Sequence, residues 1–99
     1  MDKLHIGVCC TFGAGSSLML KMNLDNVFNR LKVDADVVVY DISSINQSLL
    51  DSLDAVFTGT ALVGEIEGMA EGTKAKIVPV HDYFNLQELE ESIKKTFEI

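Results

Sequence analysis

Two kinds of hydrophobic pattern alternate along this chain. Four short runs are rich in β-branched and other apolar residues and end at glycine or polar turn residues, which is typical of buried strands. These runs lie at 3–9, 35–40, 54–58 and 75–80. Each run is followed by a segment whose apolar residues recur every three or four positions, which predicts an amphipathic helix. These segments lie at 17–32, 45–53, 61–70 and 86–97.

The first and last predicted helices have the clearest apolar stripes. Their repeating positions are Leu20, Leu24, Val27, Phe28 and Leu31 in the first, and Leu86, Leu89, Ile93 and Phe97 in the last. We expect Ser16 or Ser17 to cap the first helix and Asn85 the last, because short polar side chains accept hydrogen bonds from first-turn amides. Pro79 predicts that the fourth strand lies at an edge of the sheet or ends there.

The strict alternation of strands and helices predicts an α/β fold of the order βαβαβαβα. Such chains form a three-layer sandwich, in which a four-stranded parallel sheet is flanked by helices on both faces and joined by right-handed crossovers. The first strand is expected to lie centrally in the sheet. Residues 1–99 contain no repeat, linker or low-complexity tract, so we predict a single domain.

Composition and charge exclude several classes of function. Apolar residues make up 47% and charged residues 23% of the chain, which argues against disorder. A net charge of -7 disfavours nucleic acid and anionic membrane surfaces as partners. No apolar run approaches the length of a membrane span, and the N-terminus lacks the pattern of a signal peptide.

The two cysteines of the chain, Cys9 and Cys10, are adjacent. A disulfide between neighbours would be strained and would cross-link nothing, so we expect reduced thiols and a cytoplasmic protein. No group of His, Cys, Asp and Glu has the spacing of metal ligands, and no cofactor is predicted.

The segment after the first strand is the candidate site, since parallel α/β sheets bind ligands beyond the carboxyl ends of their strands. Its glycines allow amides to turn inward around an anion, it leads into a helix N-terminus, and it carries hydroxyl groups. This combination predicts a phosphate-binding loop. It lacks the lysine of a P-loop and the third glycine of a dinucleotide motif. Its residues are Thr11, Phe12, Gly13, Ala14, Gly15, Ser16 and Ser17.

Cys10 stands at the entrance of this loop. A thiol beside a helix N-terminus and several amide donors is expected to have a depressed pKa, and a thiolate next to a phosphate site favours a phosphocysteine. The pattern alone leaves a reactive thiol and a small buried side chain equally open for Cys10. Cys9 is predicted to be buried.

The tract at 8–22 resembles the phosphocysteine loop and first helix of enzyme IIB of the bacterial phosphotransferase system. The likeness is closest to the ascorbate-type branch of the lactose/cellobiose-like IIB fold, which is also the fold shape of low-molecular-weight phosphatases. Residues 53–58 and 64–66 are similar to the third strand and following helix of that group. The family spacing Cys-x-x-Gly-x-Gly-Ser-Ser selects Cys10. Two departures are the second cysteine, Cys9, and Thr11-Phe12, where the branch has a glycine and a small polar residue.

The resemblance implies a phosphoryl relay. A phosphohistidine of the IIA component would phosphorylate Cys10, and the phosphoryl group would pass to a carbohydrate, L-ascorbate in this branch, bound by the membrane component IIC. The protein would then be a protein-phosphocysteine–sugar phosphotransferase. We expect a cytoplasmic monomer that is not inserted in the membrane, and the initial methionine favours a separate subunit.

Three alternatives stay open. A low-molecular-weight phosphatase needs an arginine at the end of the loop, where this chain has serines, and its only arginine is Arg30. A non-catalytic phosphate-sensing module would keep the loop without needing Cys10 as nucleophile. A redox role is disfavoured because the adjacent thiols lack the two-residue spacing of redox pairs.

Three further residues have both a structural and a functional interpretation. His81 follows the fourth strand and is expected to be a half-exposed loop histidine rather than a residue near the phosphate or on the docking surface. Met19 and Met22 are predicted to pack in the core, with docking as the alternative for at least one of them.

Overall fold

Strands and helices alternate in the computed structural model, which describes the backbone of residues 3–10, 13–60, 62–82 and 85–98, and their side chains except at 10, 13–17 and 42. The strands are β1 (Leu4–Cys10), β2 (Ala35–Asp41), β3 (Ala55–Gly59) and β4 (Lys76–Val80). The helices are α1 (Gly13–Arg30), α2 (Gln47–Ser52), α3 (Val63–Ala70) and α4 (Leu86–Phe97), and a short 3₁₀ helix, Ile42–Ser44, follows β2. The predicted α/β class and order of elements are confirmed.

The sheet has the strand order β2-β1-β3-β4, and every pair of neighbours is parallel. Strand β1 is interior, as predicted. Its residue Val8 pairs with Val39 of β2 on one side and with Phe57 of β3 on the other. All four strands end on the same side of the sheet, and the loops that follow them lie there. The carboxyl end of β1 therefore lies near the middle of this side.

Two hydrophobic clusters, one on each face of the sheet, make the fold three-layered. On one face α1 and α4 pack on the sheet through buried residues that include Leu20, Leu24, Leu89 and Ile93. On the other face α2 and α3 pack through buried residues that include Leu50 and Ile66. Among the helices of the described residues, none has the length and hydrophobicity that a membrane span requires.

Helix α1 begins four residues earlier than the sequence predicts. Its first residue is Gly13, so the prediction of a helix start at Ser17 is wrong, and neither Ser16 nor Ser17 is its N-cap. Glycine and serine have low helix propensity, which favours a later start. Leu20 and Leu24 pack on the sheet and hold α1 beside β1. Only a short connection is then needed between the strand and the helix, so the helix begins earlier than local propensity favours.

The end of α1 is closed by a Schellman motif. The amide of Val33 donates to the carbonyl of Phe28 at 2.9 Å, and the amide of Lys32 donates to the carbonyl of Asn29 at 3.1 Å. Phe28 and Val33 are both buried, which supplies the hydrophobic contact of this motif. The motif requires a left-handed residue, and Lys32 takes that position with a φ of 58°.

Replacing Lys32 with glycine is expected to raise the free energy of unfolding by about 0.5–1 kcal/mol, because glycine has no Cβ to oppose a positive φ. Urea denaturation of the two proteins measures the difference. Lys32→Ala is the matched control, since it removes the same charge and keeps the Cβ. Equal stability of the glycine and alanine variants would contradict the prediction.

Strand β4 forms one edge of the sheet, which confirms the prediction from Pro79. The amide of Lys76 donates to the carbonyl of Asp54 at 3.2 Å, so Lys76 faces β3. Successive residues of a strand turn their backbone groups to opposite sides, and Ile77 and Pro79 therefore face away from β3. Because Pro79 faces away from β3, its lack of an N–H removes no hydrogen bond between β3 and β4.

Candidate functional site

The candidate site lies where β1 meets α1. Cys10 is the last residue of β1, and α1 begins at Gly13. The first four amides of a helix have no partner within it and form the positive end of its dipole, so they favour an anion. No acidic residue lies in the first turn of α1. Cys10 therefore lies at the carboxyl end of a central strand, just before the N-terminus of α1.

The predicted phosphate-binding loop is largely helical. Gly13, Ala14, Gly15, Ser16 and Ser17 are the first five residues of α1. Thr11, Phe12 and the side chain of Cys10 lie outside the described residues. A helix rises about 1.5 Å per residue, which places Ser17 about 6 Å farther along the axis than Gly13. The amides that open this helix at Gly13, Ala14 and Gly15 are therefore closer to its positive end than those of Ser16 and Ser17.

Cys9 belongs to the core, as predicted. Its side chain is 0% exposed and lies in the cluster beneath α2 and α3. It pairs across the ladder with Thr58 of β3, which is also fully buried. A thiol buried in this layer is not accessible to a protein partner, so Cys9 is a structural residue.

The only arginine of the chain lies at the far end of α1. Arg30 is the last residue of the helix, about 25 Å along its axis from Gly13. Lys21, the first basic residue along α1, is engaged with Asp25 at 2.7 Å, one turn further on. A phosphoryl group at the start of α1 would therefore receive no hydrogen bonds from an arginine of this helix.

Comparison with protein-family models gives one match over residues 5–95, to the lactose/cellobiose-specific IIB subunit of the phosphotransferase system. The chain belongs to this IIB family. A IIB domain is a phosphotransfer domain that interacts with IIA and IIC components of the system. The resemblance read from the sequence is confirmed at the level of the family.

Solved structures show the same fold. The lactose-specific IIB domain of the phosphoenolpyruvate:carbohydrate phosphotransferase system from Streptococcus pneumoniae aligns with a TM-score of 0.70 and 16% identity, covering 98% of this chain and 97% of that one. The enzyme IIB subunit from Escherichia coli K12 aligns with a TM-score of 0.62 and 14% identity, covering 99% and 94%. A search of curated proteins finds no match.

Beside Cys10 this IIB domain carries an acidic residue that the sequence pattern did not reveal. Asp41 ends β2, and its Cα is the ladder partner of the Cα of Cys10. In the sequence it reads as the first residue of a turn cluster, because it follows the apolar run at 35–40. The register of β2 against β1 was needed to place it at the site.

His81 lies two strands away from Cys10, because β3 separates β4 from β1. Its side chain is 73% exposed, and its Nδ1 is 3.9 Å from Oε1 of Glu88. Oε2 of Glu88 accepts hydrogen bonds at 3.2 Å from the amides of His81 and Asp82. Asn85 caps α4 as predicted, accepting from the amide of Glu88 at 3.1 Å. His81 is an exposed loop histidine next to a helix cap.

An apolar patch on α1 corrects the prediction for the two methionines. Met19 is 39% exposed and Met22 is 52% exposed, so neither is a core residue. Leu18, which is 51% exposed, lies one turn before Met22 on the same side of the helix. We call these three residues the α1 patch. It lies in the half of α1 that is nearer to Cys10.

One cavity, of about 540 Å³, lies between β4 and α4 and is separate from Cys10. Its lining includes Lys76, Val78, Glu88 and Lys95, and of the predicted candidates only His81. Within the described ranges, no three His, Cys, Asp or Glu side chains could together hold a metal ion.

Proposed function

We propose that this IIB domain carries a phosphoryl group on Cys10 between a IIA phosphohistidine and a carbohydrate bound by a IIC component in the cytoplasmic membrane. The observation that carries this proposal is the position of Cys10 at the end of a central strand, directly before the N-terminus of α1, in a phosphotransfer family. The family match supports the reaction class, and the position of Cys10 in the fold supports its sulfur as the phosphorylated atom.

Both steps of the relay are phosphoryl substitutions. In the first, the Cys10 sulfur forms a bond to phosphorus while the phosphorus–nitrogen bond breaks, and the IIA imidazole keeps the electron pair. In the second, a carbohydrate hydroxyl oxygen forms the new bond, the sulfur–phosphorus bond breaks, and the thiolate keeps its pair. The hydroxyl proton passes to a base on the acceptor side. Positioning and electrostatic stabilisation carry most of the catalysis in such transfers.

Amides at the start of α1 would hold the phosphoryl oxygens, with the hydroxyls of Thr11, Ser16 or Ser17 as further donors. This cradle contains no arginine, because Arg30, the only arginine of the chain, lies about 25 Å away along α1. A low-molecular-weight phosphatase uses an arginine at this place, so its absence favours transfer to an acceptor over hydrolysis.

The identity of the carbohydrate acceptor is a separate part of the proposal. The tract at 8–22 favours L-ascorbate, whereas the matching family description names lactose and cellobiose. We propose L-ascorbate as the acceptor. Phosphorylation by a IIA component of the ascorbate type, and not by one of the lactose type, would support this choice.

The test of the relay is intact mass after incubation with phosphoenolpyruvate, the general phosphotransferase proteins and each IIA component. We expect the mass of one added phosphoryl group, which disappears when the matching IIC component and its carbohydrate are supplied. Absence of an adduct with every IIA component would overturn the relay. Phosphate release from an aryl phosphate would then identify a phosphatase, and binding of inorganic phosphate alone would identify a sensor.

The α1 patch is proposed as part of the surface that meets IIA. Replacing Leu18 and Met22 together with glutamine is expected to lower the rate of phosphorylation at limiting IIA about tenfold or more, because a few residues carry most of the binding energy of an interface. Val38→Thr is the control, since Val38 is also an exposed apolar residue but lies in the middle of β2. An unchanged rate in the double variant would exclude this surface.

A further inference from the structure

We infer that Asp41 weakens the hold of Cys10 on its phosphoryl group and so keeps that group readily transferable. This inference rests on the proposed function of Cys10. Its structural basis is the juxtaposition of the two residues at the carboxyl ends of β1 and β2, where their Cα atoms are ladder partners.

The geometry places a carboxylate one strand away from the cysteine. Neighbouring strands are about 4.8 Å apart, so the charge of Asp41 lies within the range in which it affects an ionising group at Cys10. The side chain of Asp41 is exposed and makes no hydrogen bond or ion pair with any other residue whose placement is described. Contacts among the described residues therefore do not account for an acid at this position.

The other charged groups of this edge lie on elements that do not pair with Cys10. The first turn of α1 has no acidic residue, and the ion pair of Lys21 with Asp25 is internally neutral. Glu65 lies in the first turn of α3, while His81 and Asp82 follow β4 beyond β3. Asp41 is the ionisable residue whose backbone is paired directly with that of Cys10.

Asp41 is expected to destabilise negative charge on Cys10, because like charges repel. A carboxylate beside a thiol disfavours the thiolate, and it disfavours even more the doubly charged phosphocysteine. The N-terminus of α1 acts in the opposite direction. A phosphoryl carrier must pass on the group that it accepts. The negative charge of Asp41 offsets part of the stabilisation that the N-terminus of α1 gives to phosphocysteine, and so keeps the phosphoryl group transferable.

The experiment is the pH dependence of iodoacetamide alkylation of Cys10 in a Cys9→Ala background. Removing the charge with Asp41→Asn is expected to lower the alkylation midpoint by about half to one pH unit, and added salt should shrink the shift. In parallel, the phosphorylated fraction at equilibrium with limiting IIA should rise several-fold, since phosphocysteine is doubly charged.

Two variants make the result specific. Asp36→Asn removes the same charge from the same strand, but Asp36 pairs with His5, about 16 Å from Asp41 along β2, and should leave the midpoint unchanged. Asp41→Glu keeps the charge and should behave like the parent.

A midpoint unaffected by Asp41→Asn, or moved equally by Asp36→Asn, would overturn the inference. Alkylation requires no phosphoryl donor, so it tests the electrostatic effect independently of the relay. A Cys10 that shows the midpoint shift but accepts no phosphoryl group would overturn the proposed function instead.

Discussion

Serine at position 10 is expected to abolish the phosphoryl adduct of this IIB domain. The Cys10→Ser change replaces a thiol, which can ionise to a thiolate, by an alcohol that ionises far less readily, and the thiolate is the nucleophile in such chemistry. The loss should amount to several orders of magnitude in rate, which intact mass would record as no adduct at all. The backbone at the end of β1 should be unaffected, so unfolding by urea should be unchanged.

The neighbouring cysteine provides the matched control for this result. Cys9 is adjacent in sequence and buried beneath α2 and α3. Cys9→Ala should therefore keep the full adduct while losing some stability, because it leaves a small cavity in the core. An adduct that survives in Cys10→Ser, or that disappears in a folded Cys9→Ala protein, would place the nucleophile elsewhere.

The second large effect is expected from Phe57→Ala. Phe57 is fully buried in β3, between Val8 of β1 and Val78 of β4, and its ring lies in the cluster beneath α1 and α4. Truncating a phenylalanine at such a position removes apolar burial and leaves a cavity, which costs about 3–5 kcal/mol. That is a large share of the stability of a domain this size. Urea denaturation followed by circular dichroism would measure it.

Phe97→Ala makes the same chemical change at the end of α4, where the side chain is only partly buried. Its cost should be well below that of Phe57→Ala. Equal losses for the two variants would mean that the interior of the sheet is no better packed than the end of α4, contrary to the complete burial of Phe57 and the partial burial of Phe97.

The fold was predictable from the sequence because each element carries a local signal. Helix α4 has an apolar stripe at helical spacing and the cap Asn85, and its predicted limits of 86–97 agree with the structure. The start of α1 was not predictable in this way. The glycines and serines at 13–17 oppose a helix locally, and only packing on the sheet, which the sequence does not display, extends the helix to Gly13.

The candidate site was predictable in part. Cys10 could be identified because a parallel sheet concentrates function at the strand ends and because the following tract resembles a known family. Asp41 could not, since strand order and register decide which residues become neighbours, and neither is encoded in a local pattern. The exposure of Met19 and Met22 was missed for a related reason, because the face of a helix that remains uncovered depends on where its neighbours stop.

The position of Pro79 has a consequence for behaviour at high concentration. Residues 77, 79 and 81 follow the outward-facing alternation of β4, yet proline has no N–H and the amide of His81 is occupied by Glu88. Ile77 alone presents an outward amide within β4. A second molecule would find almost no hydrogen-bond donors along β4, which disfavours extension of the sheet at this edge. At high concentration, association of two molecules through β4 should therefore be disfavoured.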